Sequence, residues 1–246
     1  MIAACYILHY GEEWLSWSMR SVRSLVDEIY VFYTYQPSHG HSTSLKNPES
    51  RDNLYDIARP YFPIWHDAVR YDHEGVHREA AVEACRSAGA DLVVVVDADE
   101  IWDQEVLQNA ISYAKSMPYR SFRIGMRHFW RSLKWVCDDP SMPTRLIRVD
   151  LSREFGGEEY FHDGKVFHMG YAQSPDIIYY KQSIHGHKNH WRDGWFGNAF
   201  MQWRPGDKDV HPTNENFWNP EPFVDDGGKL EYLISDHPYW NKDIIE

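Results

Sequence analysis

The sequence predicts an α/β fold with a mostly parallel central sheet, helices on both faces and an irregular C-terminal extension. Three observations predict it. Short apolar or aromatic runs alternate with helix-spaced segments through the first half of the chain. One wholly apolar run, inside "DLVVVVDADEIW" (Asp91 to Trp102), stops abruptly at Asp97, Asp99 and Glu100. From about Gly156 onward periodicity fades, while Gly, His, Trp and Pro become dense.

Taken in order, Ile2 to Leu8 reads as a buried strand closed by the turn "HYGEE". Leu15, Met19, Val22 and Val26 recur at helical spacing, and "EIYVFYTY" (Glu28 to Tyr35) has the β-branched and aromatic content of a second strand. Gln36 to Ser50 is a polar loop, Asp52 to Arg59 a short helix, and Pro63 to Val69 a third strand. Ala81, Ala84, Cys85 and Ala88 line one face of a helix that Gly89 ends. "DLVVVVD" is the fourth strand, and Asp103 caps a helix carrying Leu107, Ala110, Ile111 and Ala114. "SFRIGMRHFW" and "TRLIRVD" are later strands. The core therefore spans 1–155. The remainder, 156–246, is expected as loops and short elements packed on the same domain.

A chain of 246 residues that is 43% hydrophobic has material for a proper core. Its 37 acidic against 25 basic residues give a formal charge of -12, which argues against a basic nucleic-acid-coating surface but leaves room for a local basic groove. Cys5, Cys85 and Cys137 lie far apart without metal-ligand spacing, so a reducing, cytoplasmic setting is expected. No basic segment precedes the apolar start, so no signal peptide is expected, and no run is long enough to span a bilayer.

The acids carry the chemistry. In open α/β sheets, ligands bind beyond the carboxyl ends of strands, where Asp97 and Asp99 stand. Two carboxylates at i and i+2, with small Ala98 between them, can converge on one hard cation such as Mn²⁺ or Mg²⁺, which lowers the pKa of both. The bland alternative is a polar strand end before a capped helix.

The context is more specific. "HREAAVEACRSAGADLVVVVDADE" resembles the segment that leads into the Asp-x-Asp motif of GT-A fold glycosyltransferases of the family 2 type, with Arg78, Ala81, Ala88, Gly89, Asp91, Asp97 and Asp99 in the matching places. "ILHYGEEWLSWSMRSVRSLVDEIYVF" is similar to the family's opening strand, acidic turn, helix and second strand, and "TRLIRVD" to a later strand. The resemblance covers roughly the first 150 residues. One departure stands out. The acidic residue that usually follows the second strand and contacts the nucleotide is absent from "VFYTYQPSHGHSTS", where Thr34, Tyr35 and the hydroxyls of Ser42 to Ser44 stand instead.

The resemblance implies a GT-A, Rossmann-like nucleotide-diphospho-sugar transferase fold. It also implies transfer of a sugar, from a UDP-sugar as the usual donor, to an acceptor hydroxyl. The donor would meet Leu8 and Tyr10 after the first strand, Thr34 after the second, and Arg78, Asp97, Ala98 and Lys181. Asp97 and Asp99 would hold the metal, completed by a C-terminal histidine: His168 first, before a Gly turn in "KVFHMGY", then His187 or His211. An inverting enzyme needs a carboxylate base, and "FGGEEYFHDG" offers Glu159 and Asp163 in a Gly-flanked loop. Trp191, Trp195 and Trp203 read either as a stacking platform for the acceptor or as a packing helix. The acceptor stays open between a glycan or other small molecule and hydroxylated bases of DNA. A nucleotidyltransferase ranks lower because "HYGEEW" lacks a Gly-rich phosphate loop. A non-catalytic carbohydrate-binding protein has no use for paired acids at a strand end.

Overall fold

The computed structural model describes residues 1–37, 43–150, 156–186, 188–214 and 217–245, with the side chains of 188 and 226 excepted. Strand β1 (Ile2–Leu8) leads through a turn into helix α1 (Leu15–Arg23), then β2 (Glu28–Thr34), α2 (Arg51–Ala58), β3 (Ile64–Ala68), α3 (Glu74–Ser87) and β4 (Leu92–Val96). Within β4 all five residues are buried, as expected of a strand covered on both faces. β1 pairs in parallel with β2 on one side and β4 on the other, and β2 pairs in parallel with β3.

Local chemistry sets the ends of α2, α3 and α4 (Gln104–Ser116). Ser50 Oγ accepts from Asn53 N to cap α2, and the Asp103 side chain accepts from Glu105 N and Val106 N to cap α4. Gly89, at φ +93°, supplies the left-handed residue that lets α3 turn back into β4. Leu8, Leu15, Met19, Leu54, Trp102, Leu107 and Phe122 fill the core on one face of the sheet. Ala3, Cys5, Ala81, Cys85, Val93 and Val95 fill the tighter layer under α3 on the other. All three cysteines are buried free thiols.

After α4 the sheet turns antiparallel. The two-residue strand β5 (Glu100–Ile101) lies before that helix, and β6 (Ser121–Trp130), β7 (Trp135–Asp138) and β8 (Thr144–Arg148) follow it. β8 inserts between β4 and β6, giving the order β7-β6-β8-β4-β1-β2-β3 along the main path. A short β10 (Glu221–Pro222) pairs with β7 at the edge.

The C-terminal region is more regular than its sequence suggests. Glu158–Tyr171 form β9, a 14-residue strand parallel to β6 that also pairs with β5, and Pro175–Ile184 form a ten-residue helix, α5. The "FGGEEYFHDG" stretch is therefore largely strand rather than loop. Its register with β6 jumps from Ile124–Phe161 to Gly125–Lys165, so His162, Asp163 and Gly164 form a bulge. Gly164 is required there: at φ +156° a Cβ would sit 2.6 Å from Val106 Cγ2 on α4. The tryptophan-rich segment packs instead of forming a platform. Trp191, Trp195 and Trp203 are buried against Trp130, Tyr171 and Phe200 around a short π-helical turn, Phe196–Met201. No helix among the described residues is long and apolar enough to cross a membrane.

The chain end, from α6 (Lys229–Ile234), returns to α1. His237, 4% exposed, stacks on Trp14 with centroids 3.7 Å apart and planes 6° apart. Its Nε2 donates to the Glu13 carbonyl at 2.8 Å and its Nδ1 accepts from Tyr239 N at 3.0 Å. Burial drives its pKa down to about 4, outweighing the carbonyl that favours the cation. The unfolded chain takes up this proton near pH 6.5 and the folded chain does not until about pH 4. The stabilisation is therefore complete above pH 6.5 and declines as pH falls toward 4. In urea titrations, the stability gap between the native protein and His237→Gln is expected to shrink by roughly 2–3 kcal/mol from pH 7 to pH 4.5, about 1.4 kcal/mol per unit. An unchanged gap refutes the assignment.

Candidate active site

A cleft of about 810 Å³ opens beyond the carboxyl ends of β1, β2 and β4. Its floor is the acid turn. The Asp97 carbonyl accepts from Glu100 N at 3.1 Å, which turns the chain tightly around Ala98. Gly11 lets the β1–α1 turn close on it: at φ +149°, a Cβ on Gly11 would lie 2.4 Å from Ala98 Cβ.

Cations make three neighbouring carboxylates tolerable. Arg145, on β8 and 4% exposed, donates from Nε to both Glu100 oxygens at 2.8 and 3.1 Å. Its Nη2 contacts Glu100 Oε1 and reaches Asp97 Oδ2 at 2.7 Å. Arg78, on α3, joins Glu74 at 2.8 Å and Asp97 Oδ1 at 3.4 Å. Burial opposes ionisation of Asp97, but Arg145 and Arg78 outweigh it and hold the pKa below the usual carboxylate range. Glu100 has no exposed surface, and burial pushes it up to about 7 against the pull of Arg145.

Asp99 faces a different set. Gln173 Nε2 donates to Oδ2 at 2.9 Å, Lys181 Nζ stands 3.7 Å from the same oxygen, and His168 Nε2 lies 3.6 Å from Oδ1. Despite burial, His168 and Lys181 hold Asp99 well below the usual range. Lys181, on α5, also donates to the Gly170 carbonyl at 3.0 Å and lies over the Tyr171 ring. Its charge is therefore spent on Asp99 and the β9 end. The His168 ring rests on Gly170, where a Cβ would come within 2.3 Å of Cε1.

The structure brings Leu8, Tyr10, Thr34, Arg78, Asp97, Ala98, Asp99, His168, Lys181 and His211 to this one cleft. Thr34 Oγ1 is buried there without a hydrogen-bond partner. His187 and Ser42 lie outside the described residues.

The structure does not bring Glu159 or Asp163 to the cleft. Tyr160 lines it, so the strand pleat turns Glu159 to the opposite side. Asp163 is exposed on the bulge beside α4. His211 also differs from expectation. Its Nδ1 accepts the backbone N–H groups of Thr213 and Asn214 at 3.2 and 2.9 Å, so its proton sits on Nε2 and no lone pair remains for a metal.

A divalent ion needs several converging donors. Among the described residues no group of three His, Cys, Asp or Glu side chains converges. Asp97 is committed to two guanidiniums, which leaves Asp99 Oδ1 and His168 Nε2, 3.6 Å apart at the cleft. Those two are donors of the type that Mg²⁺ or Mn²⁺ accepts, and an ion there would need its remaining ligands from outside the protein.

Sequence reasoning missed Arg145, Gln173 and His128. The one available signal was Arg145, set beside the apolar pair Leu146 and Ile147 in a strand suited to burial, which implies a buried anion nearby.

No family model and no curated protein matches the chain. Among solved structures, the chain is similar to residues 1–349 of S. aureus TarS, with a TM-score of 0.45 and 12% identity over 74% of this chain and 63% of that one. The same fragment in complex with UDP-GlcNAc gives a TM-score of 0.44 at 12% identity, over 74% of this chain and 64% of that one. CMP:2-keto-3-deoxy-manno-octonic acid synthetase complexed with CTP gives 0.36 at 12% identity, over 61% and 75%. The chain thus spans less than two thirds of the TarS fragment.

Arg145→Met strands Glu100 as a buried carboxylate, with an expected loss of about 3–5 kcal/mol in urea unfolding at pH 8. Adding Glu100→Gln is expected to recover most of it. Additive losses in the double variant contradict the pairing.

Proposed function

We propose that this protein is a metal-dependent glycosyltransferase that moves a sugar from a nucleotide-diphospho-sugar, a UDP-sugar in the first instance, to the hydroxyl of a glycan or other small acceptor. One observation carries the reading. Asp99 and His168 stand 3.6 Å apart in a cleft beyond the carboxyl ends of parallel strands, which Arg78 and a buried, unpartnered threonine hydroxyl also line. The family 2 resemblance of the first 150 residues supports the same assignment.

Each group then has a task. Tyr10 and Thr34 stand at the ends of β1 and β2, where the nucleoside of a donor is bound in such folds. Thr34 Oγ1 supplies the hydrogen bond that no protein group takes. A divalent ion held by Asp99 and His168 supplies Lewis-acid stabilisation of the leaving diphosphate. Arg78 adds a fixed positive charge beside it, preorganised by Glu74 and Asp97. Asp97 orients the two guanidiniums. Glu159 and Asp163 take no part, because their side chains do not reach the cleft.

In a panel of nucleotide-sugars with Mn²⁺, slow hydrolysis is expected to release the nucleoside diphosphate, with UDP-sugars turned over fastest. EDTA abolishes release, and Asp99→Asn lowers it by at least about 100-fold, in line with the loss of one preorganised electrostatic group. Glu159→Gln leaves it within about twofold. Equal turnover by the native protein and Asp99→Asn sinks the reading.

A further inference from the structure

A second imidazole stands behind His168. His128, on β6, is in register with His168 on β9 and only 8% exposed. The two rings meet edge to face, with centroids 4.7 Å apart. Their Nδ1 atoms are 2.7 Å apart, so one donates a hydrogen bond to the other.

The far side of His128 decides which. Its Nε2 is buried without a hydrogen-bond partner and faces Asp139 Oδ2 at 3.7 Å. Asp139 is itself fixed, accepting from Trp218 Nε1 at 3.0 Å on Oδ2 and from Ser141 N at 2.7 Å on Oδ1. A buried lone pair aimed at that carboxylate would be repelled, so the proton of His128 sits on Nε2. A neutral His128 then accepts at Nδ1, and His168 donates from its own Nδ1. His168 Nε2 faces Asp99 Oδ1 at 3.6 Å, where the same repulsion keeps a proton on it until a divalent cation takes that proton's place.

We propose that His128, oriented by Asp139, is a positioning residue that fixes the tautomer and rotation of His168, so that the Nε2 lone pair is presented beside Asp99 to a divalent cation. The inference rests on the metal reading above and goes beyond it. It assigns roles to two residues that are not ligands of the ion, in a relay Asp139–His128–His168. Gly170 completes the seat by leaving room for the ring. Partners of this kind behind a ligating histidine typically change metal affinity by about 10–100-fold.

The test is Mn²⁺ affinity, read from the electron paramagnetic resonance signal of free Mn²⁺ titrated with the full chain in the presence of UDP. His128→Leu removes the acceptor and is expected to weaken binding about 10–100-fold. In His128→Asn, the Oδ1 atom stands close to the lost Nδ1 and accepts the same bond, so most of the affinity returns. Asp139→Asn replaces the charge that holds the His128 proton on Nε2 with a neutral amide, so the two imidazoles lose their fixed tautomers and binding weakens at least about tenfold. Circular dichroism verifies folding, and if His128→Leu does not fold, Asp139→Asn against the native protein decides. Native protein that binds no Mn²⁺ overturns the metal reading itself. Native protein that binds Mn²⁺, with His128→Leu or Asp139→Asn within twofold of it, overturns the relay and leaves that reading standing.

Discussion

The architecture of the cleft depends on one buried guanidinium. Arg145 spans Glu100 and Asp97, and without it three carboxylates within four residues of chain would face one another in low dielectric. A lysine would not substitute, because a point charge cannot hold Glu100 in two places while reaching Asp97. Satisfying Glu100 internally has a topological consequence. The acid turn is pinned to β8, which belongs to the antiparallel half of the sheet, so the floor of the cleft is fixed by two halves built on different hydrogen-bonding schemes.

That pinning separates two aspartates that sequence alone makes equivalent. Asp97 lies on the strand side of the turn, among arginines that serve as its permanent counter-ions. Asp99 lies on the far side, where Gln173 and Lys181 hold one oxygen while the other faces His168. One carboxylate is thereby structural and the other keeps an oxygen directed at an imidazole nitrogen. The spacing i, i+2 places both at the cleft; their neighbours from β8, β9 and α5 decide what each does.

The first half of the chain was legible because its signals are local. β1, α1, β2, α2, β3, α3, β4 and α4 follow from apolar runs, helical spacing, Gly89 and the Asp103 cap, each within a few residues of where it acts. Asp97 and Asp99 likewise sit at a strand end that the alternation of strands and helices predicts, whereas Leu8, Tyr10, Thr34 and Arg78 follow only from the family resemblance. β9 was not legible. Its alternation is broken by the His162–Gly164 bulge, and its partner is β6, more than thirty residues earlier and parallel, so no hairpin turn announces the pairing. The position of Glu159 away from the cleft follows from the same cause. A Gly-flanked acidic stretch reads as a loop that can approach a substrate, whereas in a strand the pleat assigns it a side, and Tyr160 took the cleft side. The tryptophans misled less. Their helical spacing fits burial as well as stacking, and burial won because Trp130 and Tyr171 offered an apolar wall.

The histidines show why counting ligand types is a poor guide to a site. Fourteen are present, and several line the cleft. What separates them is the partner of the other ring nitrogen, a property that a sequence does not contain. His211 gives its Nδ1 lone pair to backbone N–H groups and becomes a donor. His77 and His9 each spend a ring nitrogen on a β2 carbonyl, that of Phe32 and that of Thr34, and so brace the strand end. His168 has a buried imidazole behind it and an aspartate in front of it. Its surroundings turn a ring nitrogen toward a carboxylate oxygen at the cleft. The chemistry of the cleft therefore follows from the hydrogen bonds made by the ring nitrogen that faces away from Asp99.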